Sequence, residues 1–252
     1  SAINAMIYIR CQKEDYDVWE DLGNKSWGYS DVLPYFKKAE DNDHFDDNYH
    51  SQGGPQWVSD QLSPHIISRA FVEAMQQYGL PYNEDFNGVT MHGTGFYQIT
   101  CRNGRRGSTA VTYLRPVRSR KNLTVRTGSK VFKILIKKGR AIGIEYERRG
   151  KKFTEYAESE VLLSAGAINS PRLMLLSGIG DASELSSVGI DPVHELPGVG
   201  KNLHDHICTN VHLQTKKPIS YDGHDKFPKS WLHGLRWLLY RDGPAAAVIV
   251  ES

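Results

Sequence analysis

Residues 123–178 constrain the fold more than any other stretch. Four segments, 123–127, 130–137, 141–147 and 152–157, are rich in Val, Ile, Phe and Tyr, residue types that suit a pleated, half-buried surface. Lys138-Gly139-Arg140 and Arg149-Gly150-Lys151 separate the last three and are tight-turn signals, so the spacing predicts an antiparallel meander. Val161-Leu162-Leu163 then forms a short, wholly apolar run, which suits a strand covered on both faces, as in a parallel sheet. It leads through Ser164-Ala165-Gly166-Ala167 into Ser170-Pro171 and an apolar helix ending at Gly178. Ser at the cap, Pro at the first helical position and Gly after the end mark the helix boundaries. A strand, a small-residue turn and a helix N-terminus in that order present backbone N–H groups and a positive dipole end to an anion. The same pattern also fits an ordinary strand–helix connection whose small residues serve packing.

The N-terminal part reads as helices and loops. Tyr16, Trp19 and Leu22 recur at helical spacing and Gly23 stops the helix. Ser30 is the expected cap of a second helix holding Val32, Leu33 and Phe36, with Pro34 in its first turn. Residues 41–60 are acidic, then Gly-rich, and read as a surface loop. Ser63-Pro64 is expected to open an amphipathic helix with Ile67, Ala70, Phe71, Ala74, Met75 and Tyr78 on its buried face and Gly79 at its end. Residues 81–107 are Gly-rich and aperiodic, and a loop that long in a compact domain is functional or disordered. Ser108 caps a short helix predicted to stop before Pro116.

Composition excludes several classes. The chain has 252 residues, 39% of them hydrophobic, and a formal net charge of +2, so it is globular and carries no global drive toward nucleic acid or anionic lipid. Cys11, Cys101 and Cys208 are scattered and form no CxxC, which argues against a disulfide framework or zinc ribbon and for a reducing compartment, here the cytoplasm. No apolar run approaches the ~20 residues of a membrane span. His204 and His206 form an HxH pair, but neither His212 nor another residue gives a third ligand at a convincing metal-site spacing, so no metal is expected. GVGKN at 198–202 departs from a phosphate loop because Glu195 and Asn202 occupy key positions. DNDHFDDN from Asp41 departs from a calcium loop because Phe45 sits at a ligand position. The basic stretch from Arg102 to Lys121 reads as a solvated face with Arg–acid pairing, the alternative being a nucleic-acid module.

Several blocks carry a family resemblance. GAINSPRLMLLSGIG (166–180), the opening SAINAMIYIR, QKEDYDVWEDLGNKSWGYSDVLPYFKKAEDN from Gln12, LTVRTGSKV ending at Val131 and LPGVGKNLHDH ending at His206 are all present. They resemble the glucose–methanol–choline (GMC) oxidoreductases, most closely their bacterial choline and aliphatic-alcohol dehydrogenases. The resemblance implies a mixed α/β fold: an incomplete FAD-binding parallel sheet with a β-meander crossover, plus part of an antiparallel-sheet substrate domain. It divides the chain into an FAD-domain-associated segment with lid loops (1–62), a first substrate-domain part (63–122), an FAD-domain portion (123–205) and the start of a second substrate segment (206–252). The family's Gly-rich dinucleotide turn and C-terminal catalytic His have no counterpart here. The resemblance therefore implies an internal fragment, inactive in isolation, with no catalytic residue to assign.

The chemistry implied is oxidation of a primary alcohol, choline or aliphatic, by proton loss to a His base and hydride transfer to flavin N5. The resemblance places Asn4, Ala5, Met6 and Ile7 beside the flavin ring, Val131 at the adenine, and Ala165 and Gly166 near the dinucleotide. Ile3 stands where some members carry a His bonded to the cofactor, so FAD is expected to be non-covalent. Choline would need an aromatic cation site, for which Trp27, Trp57, Trp231 and Trp237 are present. The expected partners are a small-molecule alcohol and an electron acceptor that brings the protein to a membrane surface.

Overall fold

The computed structural model describes residues 4–205, 207, 209, 211, 213–248 and 251–252. The chain divides into two units, one formed by residues 1–120 with 213–252 and the other by residues 121–212.

In the first unit α1 (Lys13–Asp21) and α2 (Tyr29–Ala39) pack around Tyr16. Its ring meets Trp19 and Phe36 edge-on at 5.3 and 5.8 Å, and its hydroxyl donates to the Arg10 carbonyl at 2.5 Å. Gly23 ends the first helical stretch with φ +99°, as its position predicts. The cap of α2 is Gly28 rather than Ser30, and Pro34 lies inside the helix, beyond its first turn.

The expected surface loop at 41–60 is instead structured. β1 (Glu40–Asn42) pairs in parallel with β2 (Gln56–Val58), and Glu40, Asn42 and His50 are buried. Polar composition misled here because these side chains satisfy one another rather than water. Gly54 donates to the Glu40 carbonyl at 2.9 Å, where an added Cβ would come within 2.4 Å of that same oxygen.

α3 (Ile66–Gln77) begins at His65, whose imidazole accepts the Ile67 N–H, not at Ser63-Pro64. Its buried residue is Val72; the predicted face leaves Phe71 and Tyr78 exposed, because contact is made one residue around the helix. β3 (Cys101–Arg102) and β4 (Arg105–Arg106) form a small hairpin. A π-helical turn at Ala110–Leu114 runs on into α4 (Arg115–Val117), so Pro116 continues the helix rather than stopping it.

In the second unit the meander is present. β5 (Ser129–Lys137), β6 (Arg140–Arg148) and β7 (Lys151–Tyr156) pair antiparallel. Both connections place two residues at positive φ, Lys138-Gly139 and Arg149-Gly150, whose left-handed backbone matches strand twist. Residues 123–127 are not a strand. Ser129 already pairs with Arg148, the last residue of β6, so nothing remains for earlier residues to pair with.

α5 (Gly166–Leu176) packs on β5 through Ser177, which accepts the Ile134 N–H at 2.8 Å and donates to the Leu173 carbonyl at 2.6 Å. β8 (Ile179–Gly180) pairs in parallel with β9 (His194–Glu195), and α6 (Ala182–Ser187) is capped by Asp181. Val161-Leu162-Leu163 is not a covered strand. It has no partner strand among the described residues, and Leu162 is 80% exposed.

The chain returns to the first unit with α7 (Lys229–Tyr240), whose Trp237 indole donates to the Gly104 carbonyl at 2.8 Å. Among the described residues no helix is long and apolar enough to cross a membrane.

The first unit is organised by a buried ionic cluster. Arg10 donates to Glu40 and to the Tyr49 carbonyl, and its backbone N–H donates to Asn87 Oδ1 at 2.8 Å. His50 lies between two carboxylates, Nδ1 3.0 Å from Glu40 and Nε2 3.0 Å from Asp85. Burial alone would lower the His50 pKa, but hydrogen bonds and charge from Asp85 and Glu40 hold it up to about 9. Burial would raise Glu40 and Asp85, but His50 and Arg10 keep both below the usual carboxylate range. Two cations thus face two anions in a closed group.

The sign of the pH dependence follows. The His50 contribution is complete below its ordinary value of 6.5 and is lost as pH rises through about 9. The carboxylate contributions are lost on acidification through their depressed values. Urea melts should therefore show stability falling from pH 7 to beyond pH 9. In His50→Gln most of that slope should vanish, with a loss of about 3–5 kcal/mol at neutral pH. An unchanged slope in the variant would contradict the assignment.

Candidate functional site

The residues singled out from sequence fall into three places. Asn4–Ile7 lie in the first unit; Val131 and Ala165-Gly166 lie in the second. Ile3 is outside the described residues.

The Asn4–Ile7 segment is strapped to the core by its backbone. Ile7 forms an antiparallel bridge with Ile99, which bridges Ser59 on its other side. Thr100 N–H donates to the Met6 carbonyl at 2.7 Å and Tyr8 N–H to the Gln98 carbonyl at 2.8 Å. Met6 takes φ +66°, left-handed for a residue with a Cβ, and its side chain packs on Ile99, Cys101 and Val248. Asn4 Oδ1 accepts the Met6 N–H at 2.8 Å and Arg106 Nη1 at 2.9 Å, while Arg106 Nη2 donates to the Asn4 carbonyl at 3.0 Å. Two donors on one oxygen fix which end of the carboxamide is the acceptor. Asn4 and Ala5 are exposed, so the segment offers a held, accessible backbone edge.

Val131 sits half-buried in β5 opposite Tyr146, at a bulge that leaves Phe132 unpaired. Bulges re-aim the strand locally. Ala165 and Gly166 open α5, upstream of the start that Ser170-Pro171 suggested. Ser170 still acts as an acceptor at this end, taking the Ala165 N–H at 2.9 Å. Gly166 has φ +90°, and a Cβ there would meet nothing within 4 Å. The glycine is thus required by backbone conformation, and the space beside it is open. An exposed helix start whose N-cap Ala165 has no side-chain acceptor suits a phosphate group. These positions fit a dinucleotide lying against backbone.

Sequence reasoning passed over a cavity in the first unit, of about 440 Å³, lined by residues including His65, Ile67, Tyr221, Val248 and Glu251. Glu251 is 6% exposed. Its Oε2 accepts the His65 N–H at 2.7 Å, and its carbonyl accepts Tyr97 N–H and Gln61 Nε2. Its Oε1 is buried with no hydrogen-bond partner among the described residues. Burial, and then the Glu251 charge, push the Tyr221 phenol up. The signal available in sequence was a single acid ending the apolar run Ala245–Val250. None of the four tryptophans weighed for a cation site lines this cavity; Trp57 stacks under Arg102 and Trp237 holds the Gly104 carbonyl.

The remaining motifs have other roles. Arg102 pairs with Asp41 at 2.6 Å, an Arg–acid pairing of the kind expected in the basic stretch. His204 is exposed, while His206 and His212 are outside the described residues. Among the described residues no group of three His, Cys, Asp or Glu side chains is arranged to hold a metal ion.

Comparison with known proteins gives the family. The GMC oxidoreductase family model matches residues 1–208. The chain belongs to the GMC oxidoreductase family. It is 40% identical over 252 residues to mitochondrial choline dehydrogenase of Homo sapiens, covering all of this chain and 42% of that protein. It is 42% identical over 210 residues to the alcohol dehydrogenase [acceptor] of Pseudomonas putida, covering 82% of this chain and 38% of that one. An FAD-dependent oxidoreductase from Chaetomium thermophilum is similar in structure, with TM-score 0.86 and 27% identity over 98% of this chain and 46% of the other. The chain thus spans less than half the length of these two curated relatives, both of them oxidoreductases.

The backbone requirement at Gly166 is testable without any ligand. Gly166→Ala should cost about 1–2 kcal/mol in urea melts, from the left-handed backbone alone. A neutral substitution would show that this helix start is not held at positive φ.

Proposed function

We propose that this chain belongs to an FAD-dependent dehydrogenase oxidising the CH–OH group of a primary alcohol, with choline as the preferred substrate. The observation that carries the substrate is Glu251. A buried carboxylate with one oxygen unpartnered among the described residues, beside Tyr221 in a largely apolar cavity, has the chemistry of a quaternary-ammonium site. A cation with apolar methyl groups is neutralised by the carboxylate and faces the ring without demanding a directional hydrogen bond. Two relatives bear the names choline dehydrogenase and alcohol dehydrogenase, which supports both members of the substrate pair.

FAD, held non-covalently, would supply the two-electron acceptor chemistry. Asn4–Ile7 would present backbone to its ring, Val131 its backbone to the adenine, and Gly166 its N–H to the phosphates with Ala165 beside it. The role of this chain in that reaction is binding and orientation.

In the protein expressed at its full natural length, the purified material should show a flavin absorption band and oxidise choline. Glu251→Gln should raise KM for choline by about 30-fold or more. It should barely change KM for the uncharged isostere in which a tert-butyl group replaces trimethylammonium. Equal loss on both alcohols would remove the cation reading. Oxidation of aliphatic alcohols but not choline would favour the aliphatic branch.

A further inference from the structure

The hairpin that follows the Asn4–Ile7 bridge carries two adjacent arginines, and Arg106 reaches that segment. Register accounts for this. Cys101 lies opposite Arg106 and Arg102 opposite Arg105, so each pair shares a face. Cys101 is buried against Met6, Ile99 and Val248. Arg106 therefore stands on the face where Met6 packs, while Arg102 pairs with Asp41 on the other.

The hairpin is anchored at both ends. Its tip, Asn103-Gly104, takes φ +50° and +65°. The Gly104 carbonyl accepts Trp237 Nε1, and a Cβ on Gly104 would lie 2.2 Å from the Arg241 carbonyl. At its base, Gly107 N–H donates to the Thr100 carbonyl at 2.9 Å, and Thr100 N–H holds Met6. A fork delivered from so fixed a support, with one nitrogen on Asn4 Oδ1 and the other on the Asn4 carbonyl, sets both side chain and backbone of Asn4. A lysine cannot reproduce two parallel donors.

We infer that Arg106 is a positioning residue that presets the Asn4–Ile7 edge for flavin, acting through Asn4. This rests on the FAD reading above, and the test separates the two. Amide hydrogen exchange at Met6, whose N–H is held by Asn4 Oδ1, reports the edge without cofactor. Flavin affinity and the visible flavin spectrum report its use. The comparison is among wild type, Arg106→Ala, Arg106→Lys and the control Arg105→Ala, each in the full-length protein.

In Arg106→Ala, Met6 exchange should rise about tenfold or more, FAD should bind about tenfold more weakly, and the flavin band should shift. Arg106→Lys should not restore any of these, and Arg105→Ala should match wild type. Unchanged Met6 exchange in Arg106→Ala would overturn the positioning role whatever the flavin does. Faster exchange with unaltered flavin affinity and spectrum would overturn the flavin-facing reading of Asn4–Ile7 and leave the clamp as a structural contact only.

Discussion

The closed group of Arg10, Glu40, His50 and Asp85 is what the first unit depends on. A buried ion pair is not inherently stabilising, since desolvation offsets attraction, but removing one member strands a charge. Here the partners come from four separated stretches of chain, so the cluster specifies how those stretches meet. Arg10 ties the end of the Asn4–Ile7 segment to β1 through Glu40. Its backbone N–H reaches Asn87, whose amide holds the Tyr8 carbonyl at 2.9 Å. Asn42 extends the group to Gln98, beside the Ile99 bridge. The supports that hold the Asn4–Ile7 edge are polar and directional.

That arrangement clarifies why exposed and buried polar residues divide the work. Ionic groups inside fix the frame; groups at its border keep an acceptor or an edge available. Asn4, with its carboxamide oriented by Arg106, lies at one border. Glu251, with one oxygen engaged by the chain and one buried without a hydrogen-bond partner among the described residues, lies at another. In the second unit the same logic uses backbone alone: a bulge at Val131 and a positive-φ glycine at Gly166.

Local rules made the meander legible. Its turns are set by Lys138-Gly139 and Arg149-Gly150, and its strand limits agree with the pattern to within a residue or two. The first two helices were equally plain from apolar spacing. Context-dependent features were not. Residues 41–60 look like a solvated loop because their side chains are polar; their burial also needs partners 30 or more residues away, Arg10 for Glu40 and Asp85 for His50. The apolar run Val161-Leu162-Leu163 suggested a covered strand, but coverage requires neighbours that composition cannot supply. Family resemblance supplied the backbone positions proposed to face the flavin. It offered nothing on Glu251, because a lone acid acquires meaning only when a cavity forms around it.

The most direct test of this account is a backbone-amide NMR map of the full-length protein with and without FAD. The account predicts the largest shifts at Asn4–Ile7, Val131, Ala165 and Gly166. Shifts that spare these residues and concentrate elsewhere would contradict it.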